Sequence, residues 1–170
     1  NGGRIMWFPP YNLTFTEKQK EDIGKLYSDL ADLDYFIAGD FENALANYIN
    51  AVENKYDTGS VRYRIGYIQY QSQNYNQALG SFIRSLETEE NNSHLLLALA
   101  NTLSINGDNY IAKGYYETLL NNLSSDIQTF SSNYNNLNTK QIAITDLYMK
   151  ASNNLGVTLS RLADMTGDSS

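Results

Sequence analysis

The chain has 170 residues, room for one domain of ordinary size, and its 12 Lys and Arg against 19 Asp and Glu give a net charge of −7. That balance argues against a nucleic-acid binder, because phosphate contacts need clustered Lys and Arg. With no cysteine and one histidine, His94, the chain has no zinc constellation, and no stretch approaches the ~18–20 apolar residues of a membrane span.

In chain order, residues 1–16 form a non-repeat segment whose core is Ile5-Met6-Trp7-Phe8-Pro9-Pro10-Tyr11. It holds the only Trp and both prolines of the chain, is too apolar for a solvated tail, and is not helical through Pro9-Pro10. The expectation is a covering segment that folds back over the first helix pair; a strand docking into the groove of the same or a neighbouring molecule is the alternative. Thr16 with Gln19 three residues on is a capping-box pattern that starts the first helix.

Residues 17–120 are expected to hold three helix pairs. Ala44, Ala78 and Ala112 stand 34 residues apart. Each is followed four residues later by an aromatic (Tyr48, Phe82, Tyr116) and preceded four residues earlier by a turn-type residue (Asp40, Asn74, Asp108). Gly39 and Gly107 precede two of those turns, and Gln73 fills the slot in the middle copy. In each second helix the apolar residues recur at helical spacing, as in Tyr75, Ala78, Leu79, Phe82, Ile83 and Leu86. Asn74 and Asp108 suit helix caps, and Gly59 and Asn91-Asn92 break the chain between copies. No period-two alternation runs over a useful length, so no sheet is expected.

Residues 121–170 depart from the period. Leu120, Leu123, Ile127, Phe130, Tyr134 and Leu137 keep the three-four spacing of a coiled-coil seam. The last repeat helix is therefore expected to run to about residue 137. A further long helix, about 141–165, then pairs with it through Ile144, Leu147, Tyr148, Ala151, Leu155, Leu159 and Leu162. Phe130 and Tyr134, near the tip of this hairpin, are candidate assembly contacts. The chain begins at Asn1 and ends after a turn pattern, Thr166-Gly167-Asp168, and is expected to be a piece of something longer.

Five residue types recurring in register resemble the tetratricopeptide repeat, a 34-residue helix–turn–helix unit that stacks into solenoids. The middle copy carries the likeness best, in Ile65-Gly66, Ala78, Phe82 and Ser85. The third reads Leu99-Ala100, Ala112, Tyr116, with Leu119 where a small residue is usual; the first reads Ala31-Asp32, Ala44, Tyr48, Ala51, with an acid in the small-residue slot. Leu155-Gly156 looks like the start of a fourth copy. The resemblance implies an all-α, right-handed superhelix that grips proteins on its concave face. Carried over by position, that face is lined by Asp29, Leu33, Phe36 and Ile37, then Tyr63, Tyr67, Tyr70 and Gln71, then Leu97, Asn101, Ser104 and Ile105. Relatives that hold the C-terminal carboxylate of heat-shock chaperones need a Lys and an Asn where Asp29 and Leu33 stand, so that role is not expected. The groove reads as aromatic and nearly uncharged.

Residues with catalytic potential are few. His94 reads as a surface residue, and Glu87, Glu89 and Glu90 read as a solvated helix end rather than a calcium loop. No glycine-rich phosphate loop is present, and no enzyme or cofactor is expected. The expectation is a non-enzymatic scaffold or adaptor with protein or peptide partners and possible self-association; the alternative is a chaperone or targeting factor that holds a client transiently. Charged residues make up only 18 % of the chain, while Asn and Tyr are plentiful. That composition resembles extracytoplasmic bacterial proteins, with a periplasmic flagellar motor collar as one candidate setting and a cytoplasmic one still open.

Overall fold

The computed structural model describes residues 14–89, 92–130 and 136–167, and among these every regular element is helical. The helices are α1 (Glu17–Leu33), α2 (Phe41–Glu53), α3 (Gly59–Gln71), α4 (Tyr75–Leu86), α5 (Ser93–Asn106), α6 (Asn109–Phe130) and α7 (Thr139–Thr166). α1/α2, α3/α4 and α5/α6 are antiparallel pairs, each stacked on the next, and α7 lies along α6 while touching α5. The fold is an all-α tetratricopeptide-type superhelix ending in an elongated hairpin. The segment around Trp7 and Pro9-Pro10 lies outside the described residues.

Start and stop signals account for the boundaries. Thr16 and Gln19 form the capping box, each side chain receiving the other residue's backbone N–H. Asp40 caps α2 through the Asn43 N–H at 3.0 Å, and Asn92 caps α5 through His94 and Leu95. Asn74 makes no side-chain cap, and its carbonyl alone opens α4 by accepting from Ala78 N–H. The turns inside the three pairs are left-handed at Gly39 (φ 68°), Gln73 (φ 63°) and Gly107 (φ 91°). Gln73 thus adopts the conformation that glycine takes without strain in the other two copies. Gly59 opens α3 rather than breaking the chain, because it lies buried under the end of α4, where its carbonyl accepts from the Ser85 hydroxyl at 2.8 Å.

Packing repeats with the sequence period. Ala44, Ala78 and Ala112 are wholly buried, as are Tyr48 and Phe82, and Tyr116 is 1 % exposed. Gly66 is small for a reason: a Cβ there would stand 2.7 Å from the Phe82 ring. In the first pair Asp32 fills that slot, and the Tyr48 hydroxyl donates to its carboxylate at 2.5 Å, so a polar tip replaces the close contact.

Two features depart from a regular array. α1 does not stop at Leu33 but widens into a π-helical turn, Asp34–Ala38, capped by Gly39. At the other end, α6 and α7 run for 22 and 28 residues, against 12 to 14 for α2 to α5. α6 is described as far as Phe130, with residues 131–135 outside the described set, and α7 starts at Thr139 behind an Asn138–Gln141 capping box. Of the expected seam on α7, Leu147, Ala151 and Leu162 are buried, whereas Leu159 is 43 % exposed. A Cβ on Gly156 would meet nothing within 4 Å, so among the described residues no helix crosses at the Leu155-Gly156 pair.

The glycines give a direct test of the packing. A Cβ at Gly24 would meet the Ala51 and Asn54 carbonyl oxygens at 2.7 Å, and backbone cannot step aside, whereas a Cβ at Gly80 meets nothing. Gly24→Ala should cost about 1–3 kcal/mol by overpacking, while Gly80→Ala should gain about 0.5–1 kcal/mol in helix propensity. At roughly 2–4 °C per kcal/mol for a chain of this size, thermal unfolding should separate the two in opposite directions. Equal effects would mean that α1 and α2 do not cross at Gly24.

Candidate partner-binding groove

The first helix of each pair lines one face of the stack, and α7 closes it. Between them lies a groove with a cavity of about 440 Å³. Its wall is made by Tyr35 and Phe36 of the π turn, Tyr63, Arg64, Tyr67 and Tyr70 of α3, and His94, Leu97, Ala98 and Asn101 of α5. α7 adds Ala143, Asp146, Leu147 and Lys150. A second compartment of about 190 Å³ continues past Tyr70 and Asn101, between Ser104, Ile105 and Tyr116 on one side and Asn154, Val157 and Arg161 on the other.

Of the twelve residues expected on the concave face, Phe36, Tyr63, Tyr67, Tyr70, Leu97 and Asn101 meet in the larger cavity, Ser104 and Ile105 line the smaller compartment, and Asp29 and Gln71 line neither. Leu33 and Ile37 also line neither and are 58 % and 80 % exposed. The π turn explains Ile37, since a wider turn shifts residues beyond Leu33 out of the phase that α1 sets. Leu33 stays outside the cavity although Tyr67 and Asn101, at the same position one and two repeats on, line it. Phe130 ends α6 half-buried, away from the groove, and Tyr134 lies outside the described residues.

The tyrosines combine support and display. Tyr63 packs on buried Phe82 with ring centroids 5.9 Å apart, and on Tyr67 at 6.1 Å, while Tyr70 meets Tyr75 edge to face at 5.5 Å. Tyr35, Tyr63, Tyr67 and Tyr70 remain half-buried rather than enclosed. Burial pushes the phenols of Tyr35, Tyr63 and Tyr70 up, so at neutral pH they stay protonated and can donate hydrogen bonds.

The groove also carries charge that the aromatic reading leaves out. The Arg64 guanidinium lies 4.4 Å from the Phe36 ring centre and 5.6 Å from that of Tyr35, a cation–π arrangement. Lys150 pairs with Asp146 at 2.6 Å. Arg161 donates to the Ser104 carbonyl at 3.2 Å and to its hydroxyl at 3.0 Å. His94 is exposed at the start of α5 and forms part of the wall. Asn101 is a junction: its side-chain oxygen accepts from the Tyr116 hydroxyl at 2.6 Å and from Asn154 at 2.8 Å, tying α5, α6 and α7 together.

Sequence reasoning missed Tyr35, Arg64 and the whole α7 wall. A signal existed for α7. Ala143, Leu147, Lys150, Asn154, Val157 and Arg161 are spaced four, three, four, three and four apart, a single helix face that meets the buried seam at Leu147.

No family model matches the chain, and no curated protein matches it. Solved structures do share its architecture. The TPR2B domain of yeast Sti1, in its complex with pHsp70, superposes with a TM-score of 0.53 at 14 % identity over 79 % of this chain and 98 % of that one. The C-terminal TPR-containing domain of a Plasmodium falciparum FK506-binding protein gives 0.60 at 16 % identity, over 86 % and 97 %. At such identities the likeness is one of fold: the chain has the architecture of tetratricopeptide-repeat domains.

The junction at Asn101 predicts an alkaline limit to stability. Burial raises the Tyr116 phenol from its ordinary 10.0 to about 12, and Tyr48 shifts in the same direction. The unfolded chain therefore ionises first. The contribution is intact below pH about 10 and is lost as pH rises to about 12. Denaturant titrations across that window should show falling stability, with a shallower fall for Tyr116→Phe; identical slopes for both proteins would place Tyr116 in contact with solvent.

Proposed function

We propose that this chain is a non-enzymatic protein-interaction scaffold or adaptor that holds a protein or peptide segment in its concave groove. One observation carries the reading: a cavity of about 440 Å³ walled by four tyrosines, Phe36 and Leu97 and open to solvent along the inner faces of four helical elements. Tyr and Phe offer large, rigid contact area, and protonated phenols add donors for the backbone carbonyls of a bound segment. Among the described residues no group of three or more His, Asp and Glu is placed to hold a metal ion. The Sti1 domain that shares the fold was solved with pHsp70, which makes a bound protein segment a reasonable occupant of the same architecture. Asp29, tied to Lys25 at 2.7 Å, and exposed Leu33 argue against grip on a chaperone's terminal carboxylate at that end.

Within this proposal the chain serves a larger assembly in an extracytoplasmic bacterial compartment, a setting supported by composition alone; the flagellar motor is one such assembly. The alternative role is a chaperone or targeting factor that releases its client.

A photo-crosslinking amino acid at position 67 should yield a discrete protein adduct in the source cells. The same group at Ile83, on the outer face of α4, should not. Phe36→Ala with Tyr67→Ala should abolish the adduct formed from a photo-crosslinker at position 70 while helical content stays intact. A scaffold should co-purify with its partner at fixed stoichiometry, whereas a chaperone should lose it on dilution. Adducts that survive the double substitution would place the binding surface elsewhere.

A further inference from the structure

The inner face of the stack changes character from one repeat to the next. On α1 it carries Leu26, Leu30 and Leu33, all exposed and spaced i, i+4 and i+7 along one stripe. One repeat on, the same positions hold Ser60, Arg64 and Tyr67, and two repeats on, His94, Ala98 and Asn101. The stripe is therefore the aliphatic end of the groove's own face, and Phe36 of the π turn joins it to the tyrosine wall. Arg64 stands at the change of character. Its guanidinium lies over the rings of Phe36 and Tyr35, which cover its flat side and leave its edge donors to a planar acceptor. Among the described residues the Arg64 side chain forms no ion pair and no hydrogen bond. Acids on the flanking elements are engaged elsewhere: Asp29 by Lys25, Asp32 by Tyr48, Asp34 by Asn47 and Asp146 by Lys150. A half-buried cation with unpaired donors, beside phenols that stay protonated, suits an anionic oxygen.

On the footing that the groove holds a protein segment, we propose that this segment carries one internal acidic side chain set against Arg64. Large aliphatic side chains on one side of that acid lie on Leu26, Leu30 and Leu33. The acid is a side chain rather than a chain end, because the face continues on both sides of Arg64. It runs toward the leucine stripe in one direction and toward Asn101 and the smaller compartment in the other. The acid is single rather than part of an acidic run. The chain itself has a net charge of −7, and the other cations of the two compartments, Lys150 and Arg161, are held by Asp146 and Ser104. Exposed leucines gain by burying apolar area, so the order of the face, aliphatic, then cationic, then amide, sets which end of the segment lies on α1.

The probe is a phage library of random peptides displayed inside a coat protein and selected on the full 170-residue chain. Enriched sequences should hold one Asp or Glu at a fixed distance from a pair of large aliphatic residues. A synthetic peptide of that sequence, amidated at its C terminus, should bind in fluorescence anisotropy, and exchanging its acid for the amide should weaken binding at least about tenfold. Arg64→Gln should abolish that discrimination. Arg64→Glu should instead bind the peptide with Lys in place of the acid, a gain that misfolding does not produce. Leu30→Gln with Leu33→Gln should lose the aliphatic preference and keep the acidic one, and Ile83→Gln on the outer face should change neither. Peptides lost with Tyr67→Ala that do not distinguish acid from amide, or that still distinguish them in Arg64→Gln, overturn the acidic contact and leave the groove as the binding site. A peptide that binds only with its C-terminal carboxylate free overturns it in favour of a chain end. A library without any binder sensitive to Tyr67→Ala overturns the groove as a binding site, and the acidic contact with it.

Discussion

The structure depends on how closely two helices approach at one point in each repeat. Where Ala44, Ala78 and Ala112 sit wholly buried, a small side chain lets the helices of a pair pack tightly, and the aromatic one turn later fills the wedge that the crossing opens. The second pair shows how tight this is, with Gly66 leaving no room for a Cβ beside Phe82. The first and third pairs show that the wedge tolerates different chemistry, provided the polar tip is satisfied: Tyr48 meets Asp32, and Tyr116 meets Asn101. Geometry is conserved along the stack while the means of achieving it vary.

A constant crossing produces a constant displacement, so the first helix of each pair presents its inner face at a regular interval along one side of the stack. Tyr63, Tyr67 and Tyr70 share a wall with Leu97 and Asn101 because α3 and α5 are related by that displacement. The same regularity leaves the end of the stack exposed. Interior inner faces carry tyrosine, arginine and asparagine, whereas α1 carries leucines at 26, 30 and 33.

Much of this was legible in the sequence, because each crossing is made by residues close together in the chain. The spacing of Ala44, Ala78 and Ala112 marks the three pairs, and the slot shared by Gly39, Gln73 and Gly107 marks the left-handed turns. The residues that escaped are those fixed by longer-range geometry. The π turn at Asp34–Ala38 has no signature in hydrophobic period, yet it moves Ile37 out of the groove and sets Tyr35 and Phe36 beneath Arg64. Arg64 escaped because the family's positions, carried onto α3, fall on Tyr63, Tyr67, Tyr70 and Gln71 and skip the residue between the first two. The α7 wall escaped because its place depends on the length of the hairpin, which repeat spacing does not define.

That hairpin gives the groove its depth. Three pairs alone form a shallow trough, and α6 and α7 outrun the repeat, so that α7 returns along α6 and brings a second face to the inner side. The contact is polar where it matters. Asn154 and Tyr116 share the Asn101 oxygen, Ser104 and Thr158 hydroxyls lie 3.2 Å apart, and Arg161 holds the Ser104 carbonyl. An apolar seam between α6 and α7 supplies burial energy but admits sliding along its length, whereas hydrogen bonds of fixed geometry select one register. The cross-links converge on the junction between the two groove compartments, since Asn101 and Tyr70 line both. The residues that seat α7 are thus also residues of the groove wall.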